Sequence, residues 1–177
     1  MATNPAWRRW LILGLAWLGL PAAFAQSLYG LDIPFVDDRG RPVRLSDWRG
    51  REAIVTMEYS SCRFMCSATL YELKLAQASA DRRHKTVDFI VISLDPHDDT
   101  PAAWTAYRRE RGLSRDNWHF LTGPEGSAAG LARLLGINYW YEGEHLLHDF
   151  RLLRTRADGK VVRTVSAYDS DVSAILD

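Results

Sequence analysis

The sequence predicts an α/β fold, a mixed central sheet flanked by helices. Three observations predict it. Apolar, β-branched runs alternate with stretches of helical spacing between residues 53 and 136, the pattern of parallel strands joined by crossover helices. Two extended runs joined by a tight turn follow, adding an antiparallel pair. No repeat, low-complexity stretch or linker interrupts residues 26–177, which read as one domain.

The first 25 residues stand apart. Arg8 and Arg9, the apolar run from Trp10 to Leu20 and the triplet Ala23-Phe24-Ala25 match the regions of an export signal with an A-x-A cleavage site. The run falls short of the roughly 20 apolar residues of a spanning helix. Cleavage before Gln26 is therefore expected over retention as an anchor. The mature part then has 152 residues, enough for a real core. It loses two arginines and no acidic residue, so 20 basic residues face 22 acidic ones, a formal charge of −2. No basic face results, which argues against a nucleic-acid partner. Export implies the periplasm or the outer face of the cytoplasmic membrane, where cysteines can oxidise.

Along the mature chain, "VDDRGRPVRL" gives a turn at Asp38, Arg39 and Gly40 between short extended pieces. "EAIVTMEYS" is a buried strand. In "MCSATLYELKLAQASA", Leu70, Leu73, Leu75 and Ala76 have helical spacing. "TVDFIVISL" is a second buried strand and "DPHDDTP" a loop. Thr100 is an N-cap candidate with Pro101 in the first helical position, and Gly112 stops that helix. "NWHFLTG" is a shorter strand, and "GSAAGLARLLG" a helix ending at Gly136. "NYWYEGEHLL" reads as a short loop. "DFRLLRTR", the turn "ADGK" and "VVRTVSAY" form a hairpin, with a brief helix starting near Asp169 or Ser170. This is the thioredoxin arrangement, in which the loop from the first core strand to the first helix carries the active cysteines.

That loop holds the chain's two cysteines, Cys62 and Cys66. One close pair is no disulfide framework for such a domain; it reads as a reactive or metal-binding site. If the helix begins near Cys62, the pair is i and i+4, with Cβ atoms about 5–6 Å apart on one face. Both sulfurs could then meet one metal ion, and distortion at the helix start would also allow a disulfide. The helix N-terminus favours the Cys62 thiolate. Two thiolates suit Cu(I), whereas Cu(II) calls for an added nitrogen ligand.

Five histidines could supply it. His84 lies in a polar loop, and His97 and His119 read as surface or satisfied-core residues. His145 and His148 precede the C-terminal hairpin, at a place that faces the cysteine loop in the thioredoxin arrangement. Oxidoreductases of that fold keep a cis-proline there, and this chain has none nearby. A histidine in its place turns the reading towards a metal.

The residues also resemble a known family. "LSDWRGREAIVTMEYSSCRFMC", the segment with Ser93, Asp95, Pro96, Asp99, Thr100, Pro101 and Tyr107, and "WHFLTG" with Trp118, Leu121, Thr122 and Gly123 are similar to the Sco/SenC proteins. "HDFRLLRTRADG" is similar to that family's histidine strand. These are copper-binding, thioredoxin-like assembly proteins for cytochrome c oxidase, and the resemblance spans essentially all of the mature chain. It implies that Cys62, Cys66 and His148, rather than His145, bind one copper ion, as Cu(I) or Cu(II). It implies a copper metallochaperone serving a respiratory centre such as the CuA site, with a cytochrome oxidase subunit as client. The domain is expected to act as a monomer, with membrane association through the N-terminal segment or the client. The chain departs from the family at Arg63 and Ser67, where proline is usual after each cysteine, and at Asp149, usually Ser or Thr. Met65, inside the motif, is read as packing.

The alternative function is a thiol–disulfide oxidoreductase, in which Cys62 attacks a client disulfide and Cys66 resolves it. Any enzymatic activity is expected to be of this kind, and the metallochaperone reading needs none. A Cys62–Cys66 disulfide would offer no thiolate to a metal. A thiol peroxidase fits poorly, because Val55 and Tyr59 stand where its Pro and Thr/Ser belong. A purely structural bridge fits poorly too, since closing so short a loop stabilises little. Asp95 and Asp99 are read as loop and cap residues rather than a catalytic pair. Tyr139, Trp140 and Tyr141 read equally as core or as docking surface.

Overall fold

A computed structural model describes residues 27–62, 65–143, 145–168 and 171–177, with the backbone alone for residues 65–67. The expected export segment, Arg63 and the side chains of Met65, Cys66 and Ser67 lie outside the described residues. In chain order the elements are β1 (Phe35–Asp37), β2 (Pro42–Val43), β3 (Ala53–Glu58), α1 (Met65–Arg82), β4 (Asp88–Ser93) and α2 (Pro101–Arg111). Then come β5 (Trp118–Thr122), α3 (Ser127–Leu135), β6 (Tyr139–Glu142), β7 (His145–His148), β8 (Leu152–Thr155) and β9 (Val161–Val165).

Seven strands form one sheet in the order β2-β1-β5-β4-β3-β8-β9. β3, β4 and β5 are parallel, while β1 joins β5 and β8 joins β3 antiparallel. The sheet is therefore mixed and the fold thioredoxin-like. Side chains alternate across the strands and feed two cores. Ala53, Val55, Met57, Ile90, Ile92 and Leu121 pack against α3 and the N-terminal segment. Ile54, Phe89, Val91, Phe120 and Leu152 pack against α1, α2 and the C-terminal 3₁₀ turn. Because the central strands are covered on both faces, β3 and β4 are buried along their whole length.

Local chemistry explains the boundaries. The Asp37 carboxylate accepts the N–H groups of Arg39 and Arg41 at 3.0 and 2.8 Å, which closes the β1–β2 turn. The Thr100 hydroxyl accepts from the Ala103 N–H at 3.2 Å, Pro101 opens α2, and Gly112 ends it in the left-handed region at φ 66°.

Three expectations need correction. The segment before His148 is no loop: β6 and β7 form a separate two-stranded sheet, pairing Tyr139 with His148 and Glu142 with His145. Aromatic residues favour an extended ladder, and Gly143 at φ 62° lets the chain reverse. α1 starts at Met65, so Cys62 lies outside the helix, in a turn closed by its N–H and the Tyr59 carbonyl at 3.4 Å. The i, i+4 helical geometry therefore does not apply to the cysteine pair. The C-terminal helix is a 3₁₀ turn, Val172–Leu176, capped by the Asp171 carboxylate, with residues 169–170 outside the described residues.

Candidate metal centre

Cys62 and His148 come together at the carboxyl end of the parallel strands, where open α/β sheets place their sites. Cys62 follows β3 by four residues and is buried. His148 ends β7 and is buried as well, with 4% exposure. Tyr59 ties the two segments together. Its ring meets His148 edge-on at 6.1 Å, and its hydroxyl donates to the Leu146 carbonyl. The backbone of Cys66 is the second residue of α1.

The His148 imidazole is oriented by the chain itself. Nδ1 lies 3.1 Å from the Asp149 carbonyl, which can only accept, so Nδ1 carries the hydrogen. In the neutral ring Nε2 then carries the lone pair, and it is buried with no hydrogen-bond partner among the described residues. A metal-binding histidine adopts this state, one ring N–H held by a carbonyl and the other nitrogen open. Glu58, the last residue of β3, points its Oε2 at Nε2 from 3.5 Å. Burial disfavours the His148 cation, but the Glu58 carboxylate, the Asp149 carbonyl and Cys62 outweigh it and hold the pKa above the usual histidine value.

Asp99 fixes the cysteine turn from below. Its Oδ1 accepts the Ser60 N–H at 2.7 Å, and its Oδ2 accepts the Ser93 hydroxyl at 2.5 Å. Burial pushes the Asp99 carboxyl up to about 6 despite these two donors. Asp149 fixes the other side. Its N–H donates to the Asn138 carbonyl at 2.9 Å, and its Oδ2 accepts from Asn138 Nδ2 at 2.6 Å, joining the ends of the β6–β7 hairpin.

The other histidines sit away from this arrangement. His97 is exposed beside Asp98 and His145 is exposed on β7, while His119 Nε2 contacts Asp88 at 2.7 Å. Trp140 and Tyr141 are 49% and 64% exposed and offer a surface, whereas Tyr139 packs onto the core. Sequence reasoning missed Glu58 and the bracing role of Asp99. The available signal for Glu58 was a lone acidic residue ending the apolar run "AIVTM".

A thioredoxin-like sheet whose cysteine turn meets a buried histidine defines the class, a thioredoxin-like domain with a thiol and an imidazole at the carboxyl end of its strands. Within that class, the SCO1/SenC family model matches residues 24–176, and the chain belongs to that family. A SCO1 protein homolog of Bacillus subtilis is 25% identical over 170 residues, covering 90% of this chain and 88% of the relative. Arabidopsis thaliana ScoI, solved with copper bound, matches with a TM-score of 0.70 at 20% identity, over 81% of this chain and 90% of that one. BsSco, from the Sco family of cytochrome c oxidase assembly proteins, was solved in work on a disulfide switch. It matches with a TM-score of 0.68 at 23% identity, over 81% and 86% of the two chains.

Proposed function

We propose that this protein is an exported copper metallochaperone that holds one copper ion through Cys62, Cys66 and His148. The ion passes to a respiratory copper centre such as the CuA site of cytochrome c oxidase. The observation that carries the reading is His148: buried, with Nδ1 tied to the Asp149 carbonyl and Nε2 open towards Glu58, close to Cys62. Thiolates and a neutral imidazole form a donor set suited to copper. Membership of the SCO1/SenC family and the shared fold of copper-bound Sco proteins support it. Residues 1–25 would act as the export signal, placing residues 26–177 in the periplasm or on the outer face of the cytoplasmic membrane. The exposed Trp140 and Tyr141, on the hairpin that carries His148, would meet the client.

The same cysteines support a second role, favoured by their place at the strand-to-helix turn of a thioredoxin-like sheet. The Cys62 thiolate attacks a client disulfide to give a mixed disulfide and one client thiolate. Cys66 then displaces the second client sulfur, leaving a Cys62–Cys66 disulfide and a reduced client. That oxidised pair can no longer hold copper.

Copper stoichiometry and disulfide-reductase rate, measured together on the reduced chain, separate the roles. His148→Ala is expected to lose copper while keeping the reductase rate, and Cys62→Ser to lose both. Unchanged copper stoichiometry and coordination in His148→Ala would overturn the site.

A further inference from the structure

Glu58 ends a strand whose six residues are all buried, and it is the charged member of that strand. Its side chain is 2% exposed, and neither carboxylate oxygen has a hydrogen-bond partner among the described residues. No lysine or arginine among them lies within ion-pair distance; the only ion-pair contact is the His148 ring. With Nδ1 donating to Asp149, the neutral ring turns the Nε2 lone pair towards Oε2 across 3.5 Å. Facing acceptors repel, and a buried unpaired carboxylate is strongly unfavourable. A positive charge between them, a proton on Nε2 or a metal ion in its place, relieves both.

We infer that Glu58 is an oxygen ligand to the metal, completing a site of Cys62, Cys66, His148 and Glu58, and that it biases the site towards Cu(II). The inference rests on the copper reading above. The spacing fits: two donors bound at about 2 Å around a tetrahedral ion stand roughly 3.3 Å apart. Charge fits as well. Two thiolates and a carboxylate leave one net negative charge with Cu(II) and two with Cu(I), and a buried site carries the second poorly. Carboxylate oxygen also suits the harder ion, as thiolate suits Cu(I).

The test compares the reduced wild-type chain with Glu58→Gln, which keeps the shape and removes the charge. Titration with Cu(I) and Cu(II) separately gives affinities, and electron paramagnetic resonance reads the Cu(II) coordination. Glu58→Gln is expected to bind one copper, to lose roughly 10- to 100-fold in Cu(II) affinity and far less in Cu(I) affinity, and to give an altered Cu(II) spectrum. An unchanged spectrum and affinity ratio with one copper bound would overturn the ligand role, as would equal losses for both ions, the mark of a residue that only positions His148. Wild-type protein labelled with ¹³C at glutamate carboxyls gives a readout without any variant. A strong ¹³C hyperfine coupling to Cu(II) supports the inference, and its absence overturns it. Failure of wild type to bind copper at all would instead overturn the underlying site.

Discussion

Asp88 begins β4 and Glu58 ends the neighbouring β3, and the two buried carboxylates face histidines at opposite ends of the parallel strands. The Asp88 pair is complete. Its Oδ1 lies 2.7 Å from His119 Nε2, Arg51 comes within 3.2 Å of Oδ2, and Trp48 packs edge-on against the ring at 4.9 Å. The Glu58 pair is open: 3.5 Å apart, with no third group joining it, and both carboxylate oxygens and the facing nitrogen unsatisfied among the described residues. A carboxylate–histidine contact that holds a fold is closed by its own neighbours. One that takes a cargo keeps a place for the cation, and the metal-free fold bears the cost.

Copper itself should break the symmetry most. At a thousandfold excess of free copper over Kd, binding adds about 4 kcal/mol to folding. For a domain of this size that raises Tm on the order of 10 °C. Scanning calorimetry on the reduced chain should show the rise in wild type and in His119→Ala, and no rise in His148→Ala. A lost rise in His119→Ala would erase the distinction between the pairs.

Asp99 sharpens the comparison as a buried carboxylate that has donors but no cation. Its pKa of about 6 lies above the ordinary aspartate value, so the folded state holds the proton more tightly than the unfolded one. Its contribution to stability is thus greatest at low pH and falls as pH rises from about 4 to 6. The change is on the order of 2–3 kcal/mol. Asp99→Asn, a mimic of the neutral acid, should gain on wild type by that amount across the same window. Urea unfolding of the metal-free proteins from pH 4 to 7 measures it, and parallel curves would refute it.

Breaking the closed pair should cost less. His119→Ala leaves Asp88 buried with Arg51 alone, and a loss of about 1–3 kcal/mol is expected. Denaturant midpoints read this directly. Copper affinity should stay as in wild type, because the two pairs sit at opposite ends of the strands.

How much of this was legible beforehand follows from what each feature depends on. The order of strands and helices was, because apolar period and caps such as Thr100, Pro101 and Gly112 are local properties. His148 was singled out from five histidines through its place ahead of the final hairpin and the family resemblance. The β6–β7 ladder was hidden because "NYWYEGEHLL" is polar and aromatic rather than apolar, and its pairing is cross-strand. Glu58 was hidden because its partner lies ninety residues away in the chain and meets it only once both strands have folded. The helix read over "MCSATLYELKLAQASA" starts where that stretch does, at Met65; whether it reached back to Cys62 was open, since a cysteine shows neither a cap nor a stop.

The smallest effect concerns how the open nitrogen is held in place. Asp149 follows His148 directly, and its carboxylate reaches Asn138 Nδ2 at 2.6 Å and the Asn138 N–H at 3.2 Å. These bonds bind the first residue before β6 to the first after β7, and the same Asp149 offers the carbonyl that orients His148. Serine is too short to span both contacts but leaves the carbonyl in place. Asp149→Ser should therefore cost only about 0.5–1 kcal/mol of stability. The loss should concentrate in the hairpin. Amide hydrogen exchange at residues 139–142 and 145–148 should speed up several-fold, while exchange in β3 and β4 stays unchanged. Copper should also leave faster, since the imidazole would swing with a looser hairpin. If exchange in the hairpin is unaffected, the Asn138 contact does not hold it, and the orientation of His148 must come from Tyr59 and the core beneath it.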